Sequence, residues 1–218
     1  MSFFRRKPKT SAATTQAAAP AAAASAAAPT AVAEATSGSV LTGDYTIDPS
    51  HTRLGFSARH AMVTTVRGQF TDFEGTAHVD AENPAASSVS LSIRPASIST
   101  GSADRDGHLV SADFFDVENH GEITFASTAV TPLDGDVVRI EGDLTMKGVT
   151  KPVAIDFAFE GSAVDPFGNQ RIGFEGSLVV NRKDWGVNWN TALDTGGVLV
   201  SEKVTLEFDV SAIRTEAS

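Results

Sequence analysis

Val138-Arg-Ile-Glu-Gly-Asp-Leu-Thr-Met-Lys147 decides the fold. Val138, Ile140, Gly142, Leu144 and Met146 fall on one side of an extended chain, and Arg139, Glu141, Asp143, Thr145 and Lys147 on the other. Successive side chains of a strand point to opposite faces, so this segment has one oily face and one wet face. The pattern returns at Val153, Ile155, Phe157 and Phe159, and at Ile172, Phe174, Gly176, Leu178 and Val180. It returns again at Val204, Leu206, Phe208 and Val210, opposite Lys203, Thr205, Glu207 and Asp209. Strands of this kind must share their oily faces, in a sandwich or a closed barrel, and a barrel can also hold an apolar ligand.

Working outward, turn chemistry divides the chain into about eight to nine strands. Tyr45 and Ile47 predict a short first strand, closed by Asp48-Pro49-Ser50. Leu54 and Phe56 mark a second, and residues 59–65 a corner or helical turn. Phe70 and Phe73 break strict alternation, which predicts a bend near Asp72 in a long strand over 66–80. Val89, Leu91 and Ile93 alternate with serines until Pro95. Residues 102–116 leave the two-residue rhythm. They predict a short helix capped by Ser102, with Phe114 and Phe115 plugging one end of the core. Strands are expected at 121–132, 137–147, 151–163, 170–183 and 197–213, joined by turns at Asp134-Gly135-Asp136, Gly148 and Asp165–Asn169. Such hairpins make neighbours antiparallel. Twelve residues at ~3.3 Å each span about 40 Å, so the lumen would be deep and narrow, suited to an extended molecule. Gly142 and Gly176 either open space in it or relieve strand coiling. The fold class is therefore all-β: a single antiparallel barrel of about eight strands with a short helical insert.

Composition narrows the function. The 218 residues carry a net charge of -10, 41% hydrophobic residues and no cysteine. Disulfides, thiolate nucleophiles and Cys-ligated metals are excluded. The first 40 residues hold Arg5, Arg6, Lys7 and Lys9 against Glu34, so the body is the acidic part. That argues against nucleic acid as a partner, because phosphate binding needs a basic patch. No run approaches the ~18 apolar residues of a transmembrane helix. Residues 1–42, rich in alanine, read as a flexible extension, 43–214 as the barrel and 215–218 as a short tail. The stretch after Arg5-Arg6 lacks the apolar core of an export signal. It predicts a cytoplasmic protein, with a periplasmic or secreted one as the alternative.

Four stretches resemble the YceI-like family of polyisoprenoid-binding, lipocalin-like proteins. They are Tyr45–Phe70, with Ile47-Asp48-Pro49-Ser50-His51 and Arg59-His60-Ala61-Met62-Val63; Arg105–Val117, with Asp113-Phe114-Phe115; Leu144–Val153, with Lys147-Gly148-Val149-Thr150; and Asn181–Val200, with Asp184-Trp185-Gly186. They lie in order over nearly all of 43–213. The resemblance implies an extended antiparallel barrel that binds a long isoprenoid or fatty amphiphile, hydrocarbon inside and polar head at the mouth. It implies a bacterial carrier, found in the periplasm in some members and the cytoplasm in others.

On this reading the ligand-binding lining is Phe56, Phe70, Leu91, Ile93, Phe125, Ile140, Leu144, Ile155, Phe157, Phe174, Leu178, Leu206 and Phe208. His60, Arg67, Arg105 and His108 are the head-group candidates, Arg67 because a guanidinium grips phosphate or carboxylate in bidentate fashion. Trp185 and Trp189 either line a mouth or seal an end. No catalytic residue, metal site or cofactor is expected: the five histidines include no HExxH, and no serine sits in a nucleophile elbow. Two rivals stand beside the carrier. One is a lipid-modifying enzyme using His108 with Asp104 or Asp106; the other is an interaction module whose barrel is filled by its own side chains. A homodimer through the flat outer strand faces is compatible with the pattern.

Overall fold

Antiparallel pairing in the computed structural model, which describes residues 41–194 and 196–215, returns to its starting strand. The strands are β1 (Gly43–Ile47), β2 (Arg53–His60), β3 (Thr64–Phe70), β4 (Phe73–Val79), β5 (Ser88–Ile93), β6 (Ile98–Ser99), β7 (Ile123–Pro132), β8 (Val137–Met146), β9 (Val149–Val164), β10 (Gln170–Asn181) and β11 (Val200–Arg214). One helix, α1 (Ala103–Val110), is inserted between β6 and β7. The hydrogen-bonded circuit runs β1-β4-β5-β7-β8-β9-β10-β11 and back to β1, a closed barrel of eight strands. Closure matters because an open sheet of this length would expose unpaired N–H and C=O groups along two edges.

The bends expected from the sequence explain how eleven segments make eight strands. β11 pairs through Val204–Asp209 with β2 and through Ala212–Arg214 with β1, so β1 and β2 are two halves of one strand broken at residues 48–52. β3 and β4 are likewise separated only by Thr71 and Asp72. The corner at residues 61–63 is a tight turn: Ala61 and Met62 have φ of 48° and 62°, and the Val63 N–H donates to the His60 carbonyl. Positive φ at both central residues matches the right-handed twist of the flanking strands. Lys147-Gly148, with φ of 49° and 72°, turns β8 into β9 in the same way.

α1 and its neighbours shut one end. Trp185 is buried and donates its indole N–H to the Leu144 carbonyl at 3.0 Å. Phe114 is buried, and Phe115 packs edge-on against Phe70 with centroids 5.8 Å apart. Trp189 lies outside this plug, against Phe114 (5.2 Å) and His108 (4.6 Å). Trp185 therefore seals the barrel, and Trp189 backs Phe114. Ser102 stands at the N-cap of α1, but its side chain makes no cap bond. The loop before the helix is fastened instead by Asp106, which accepts from the Thr100 N–H and hydroxyl.

Candidate functional site

Inside the barrel is a hollow of about 470 Å³, within the ~300–1,000 Å³ of small-molecule sites. It is lined all round the barrel, mainly by aliphatic and phenyl side chains, among them Ile47, Leu54, Ile123, Val153 and Val210. Twelve of the thirteen side chains expected from the sequence line it: Phe70, Leu91, Ile93, Phe125, Ile140, Leu144, Ile155, Phe157, Phe174, Leu178, Leu206 and Phe208. Phe56 is not among the lining residues. Its ring covers Gly68 on the adjacent strand and meets Phe70 at 5.9 Å, adding to the aromatic packing that leads to the closed end.

Two glycines set the width of the hollow, by a route the sequence did not separate from its alternatives. A Cβ on Gly142 would stand 2.5 Å from the Phe125 ring and 2.5 Å from the Ala126 carbonyl oxygen. A Cβ on Gly176 would stand 2.7 Å from the Phe157 ring. Each glycine thus receives a phenyl ring from the neighbouring strand, which holds that ring against the wall and out of the lumen.

The mouth lies at the end away from α1. Leu41, Val79, Asp80, Ala81, Pro84 and Ser87 border it on one side, and Gly135, Asp136 and Val137 of the β7–β8 turn on the other. Asp80 is tied into its turn, accepting from the N–H groups of Glu82 (3.1 Å) and Asn83 (2.8 Å). The Asp136 carboxylate has no hydrogen bond or ion pair among the described residues. None of these mouth residues belongs to a pattern that sequence reasoning singles out, since aspartates in turns are ubiquitous.

None of the four head-group candidates lines the hollow. His60 and Arg67 are exposed on β2 and β3. Arg105 is consumed by Thr100, donating to its hydroxyl at 2.7 Å and its carbonyl at 2.9 Å. His108 pairs with Asp113 at 2.9 Å and meets Phe114 and Trp189 edge-on, so the Asp104 or Asp106 partnership is replaced by a fastening of the closed end. One further pair, His78 with Asp44 at 2.7 Å, sits on the wet side of β4 and β1, alternating with Ala77 and Tyr45.

A second polar centre braces the mouth end. Arg171 bridges Asp48 and Asp165, joining the β1–β2 break to the β9–β10 turn. Hydrogen bonds from Arg171 and His51 hold the Asp48 carboxyl down at about 2, and those from Asn169 and Arg171 hold Asp165 well below the usual range.

Residues 45–212 match the family model of the YceI-like domain. The chain belongs to the YceI-like family. A UPF0312 protein of Ectopseudomonas mendocina is 40% identical over 179 residues, covering 81% of this chain and 91% of that one. Among solved structures, BcnA of Burkholderia cenocepacia superposes with a TM-score of 0.67 at 22% identity, over 76% of this chain and 98% of its own. A polyisoprenoid binding domain from Saccharophagus degradans gives 0.60 at 14% identity, over 78% and 98%. At these identities the two structures speak to the fold. They place this YceI-like chain among lipocalin-like barrels, and the family match is consistent with an apolar hollow.

Proposed function

We propose that the barrel binds a long-chain isoprenoid or fatty amphiphile, with its hydrocarbon in the hollow and its polar end at the mouth between residues 80–87 and 135–137, and that it acts by carrying or storing this molecule without changing it. The observation that carries the reading is the hollow itself, an apolar space of about 470 Å³ in a barrel whose own side chains do not fill it. Removing apolar area from water is worth ~25 cal/mol per Å², less the cost of ordering a flexible chain. The polyisoprenoid binding domain of Saccharophagus degradans shares the fold and lends support. Against catalysis stands the placement of the acid–base pairs, since neither His108 nor Asp113 lines the hollow, and His78, which borders it, turns its ring to Asp44 on the wet side of β4 and β1.

The test is native mass spectrometry of protein purified without detergent, with uptake of a fluorescent polyprenyl or fatty probe. A stoichiometric hydrophobic adduct is expected. Leu178→Trp, which adds bulk where Leu178 meets Leu206 on the lumen wall, should weaken probe uptake at least ~10-fold, about 1.4 kcal/mol, while leaving the circular dichroism spectrum intact. Absence of both adduct and uptake in the unaltered protein overturns the reading.

A further inference from the structure

We infer that the mouth selects the charge of the ligand's polar end, accepting a neutral or cationic group and rejecting an anionic one. This inference rests on the binding reading above and deepens it. Of the ionisable residues lining the hollow, Asp80 and Asp136 are acids and His78 turns its ring to Asp44, and among the described residues no lysine or arginine lines it. Glu82 and Asp134 lie beside those two in the same turns, so the two lips of the mouth carry four carboxylates.

The cations placed at this end among the described residues are committed elsewhere. Arg139, at the start of β8, is held by both carboxylate oxygens of Asp156. Arg171 is held between Asp48 and Asp165. Arg214 donates to the Thr42 carbonyl and to Gln170. His78 faces Asp44 on the outside. Lys147, Lys183 and Lys203 belong to the α1 end, in the β8–β9 turn, after β10 and early in β11.

A ligand whose hydrocarbon fills the hollow must leave its polar end between these lips. A phosphate or carboxylate head would meet like charge on both sides, with no guanidinium or ammonium among the described residues of the lining to pair with. A hydroxyl, amide or quinone-type carbonyl can donate to or accept from the turn groups without that repulsion, and an ammonium is attracted.

The experiment uses the full chain and one prenyl tail with three heads: geranylgeraniol, geranylgeranylamine and geranylgeranyl monophosphate, each displacing a bound fluorescent polyprenyl probe. At low salt the monophosphate should compete at least ~10-fold more weakly than the alcohol, and the amine at least as well as the alcohol. The gap should close in ~1 M salt, where charges are screened beyond ~3 Å. Asp80→Asn with Asp136→Asn should bring the monophosphate to within about twofold of the alcohol; Asn at 80 keeps the oxygen that the turn N–H groups need. Equal competition by monophosphate and alcohol in the unaltered protein at low salt overturns the selectivity while leaving the binding reading standing. Failure of all three heads, with no probe uptake, overturns the binding reading instead.

Discussion

Replacing Gly142 by Ala puts the ring-against-glycine arrangement to a test in which two effects of opposite sign compete. Ala has less freedom than Gly in the unfolded chain, which by itself stabilises a protein by ~0.4–1 kcal/mol where the backbone permits it. Gly142 is an ordinary extended position without positive φ, so this gain is available. Against it, the new methyl would stand 2.5 Å from the Phe125 ring and 2.5 Å from the Ala126 carbonyl oxygen. The ring can swing, but the carbonyl belongs to β7, which is paired with β8 from Thr124 to Ser127 and, after a bulge, from Ala129 to Pro132. Overpacking of this kind costs ~1–3 kcal/mol. The net expectation is a loss of about 0.5–2 kcal/mol. At ~2–4 °C per kcal/mol for a domain of this size, the melting midpoint should fall by a few degrees. Urea unfolding followed by the fluorescence of Trp185 and Trp189 together measures the loss. Phe125→Leu in the same chain should return part of it, because the ring is one of the two obstacles. The displaced ring also has only the lumen to enter, so probe uptake should drop in Gly142→Ala and recover in the double variant. An equally stable or more stable Gly142→Ala would refute the close-approach argument.

Asp48 and Asp165 have depressed pKa values, so their stabilisation is complete above the ordinary carboxylate pKa of ~4 and lost as pH falls toward 2; urea midpoints should drop across that window, and Arg171→Met should flatten the drop while lowering stability near neutrality. Arg182 is buried and donates to the carbonyls of Ser201 (2.9 Å), Val187 (2.6 Å) and Val200 (3.4 Å). Arg182→Met takes this donor from the Ser201 and Val187 carbonyls, while Val200 keeps Asn190 Nδ2 (2.7 Å), and should cost about 3 kcal/mol in urea unfolding; Arg182→Lys should restore only a minor part because an ammonium lacks the planar fork.

Much of the barrel is legible in the chain because its signal is local. The alternations at 138–146, 153–159, 172–180 and 204–210 each report a strand with one wet face, and the doublets that break them, Phe70 with Phe73 and Asp48 with Pro49, report the bends. Closure was expected from the need to share oily faces, but its register was not readable. It depends on Tyr45 meeting Arg214, two residues at opposite ends of the domain. The lining followed from alternation alone, and Phe56 shows the limit of that rule: parity gives the inward direction but not the depth along the axis. The mouth was missed for a related reason. Arg105 and His108 resemble a functional cluster because they are charged and close in sequence, yet the fold spends them on Thr100 and Asp113 at the sealed end. The turns that border the opening carry ordinary turn residues. Arg182, expected at the end of the strand over 170–183, stands instead in a turn after β10 and is buried because the backbone of residues 187–201 folds over it.

The nesting of Phe125 on Gly142 and of Phe157 on Gly176 has a consequence for how this architecture can diversify. Enlarging either glycine alone crowds a neighbour, and trimming either phenylalanine alone leaves an unfilled dent in the wall. The calibre of the tube therefore changes at modest cost only through paired replacements across adjoining strands. A homologue that accommodates a stouter or slimmer guest is expected to differ at both members of a couple at once.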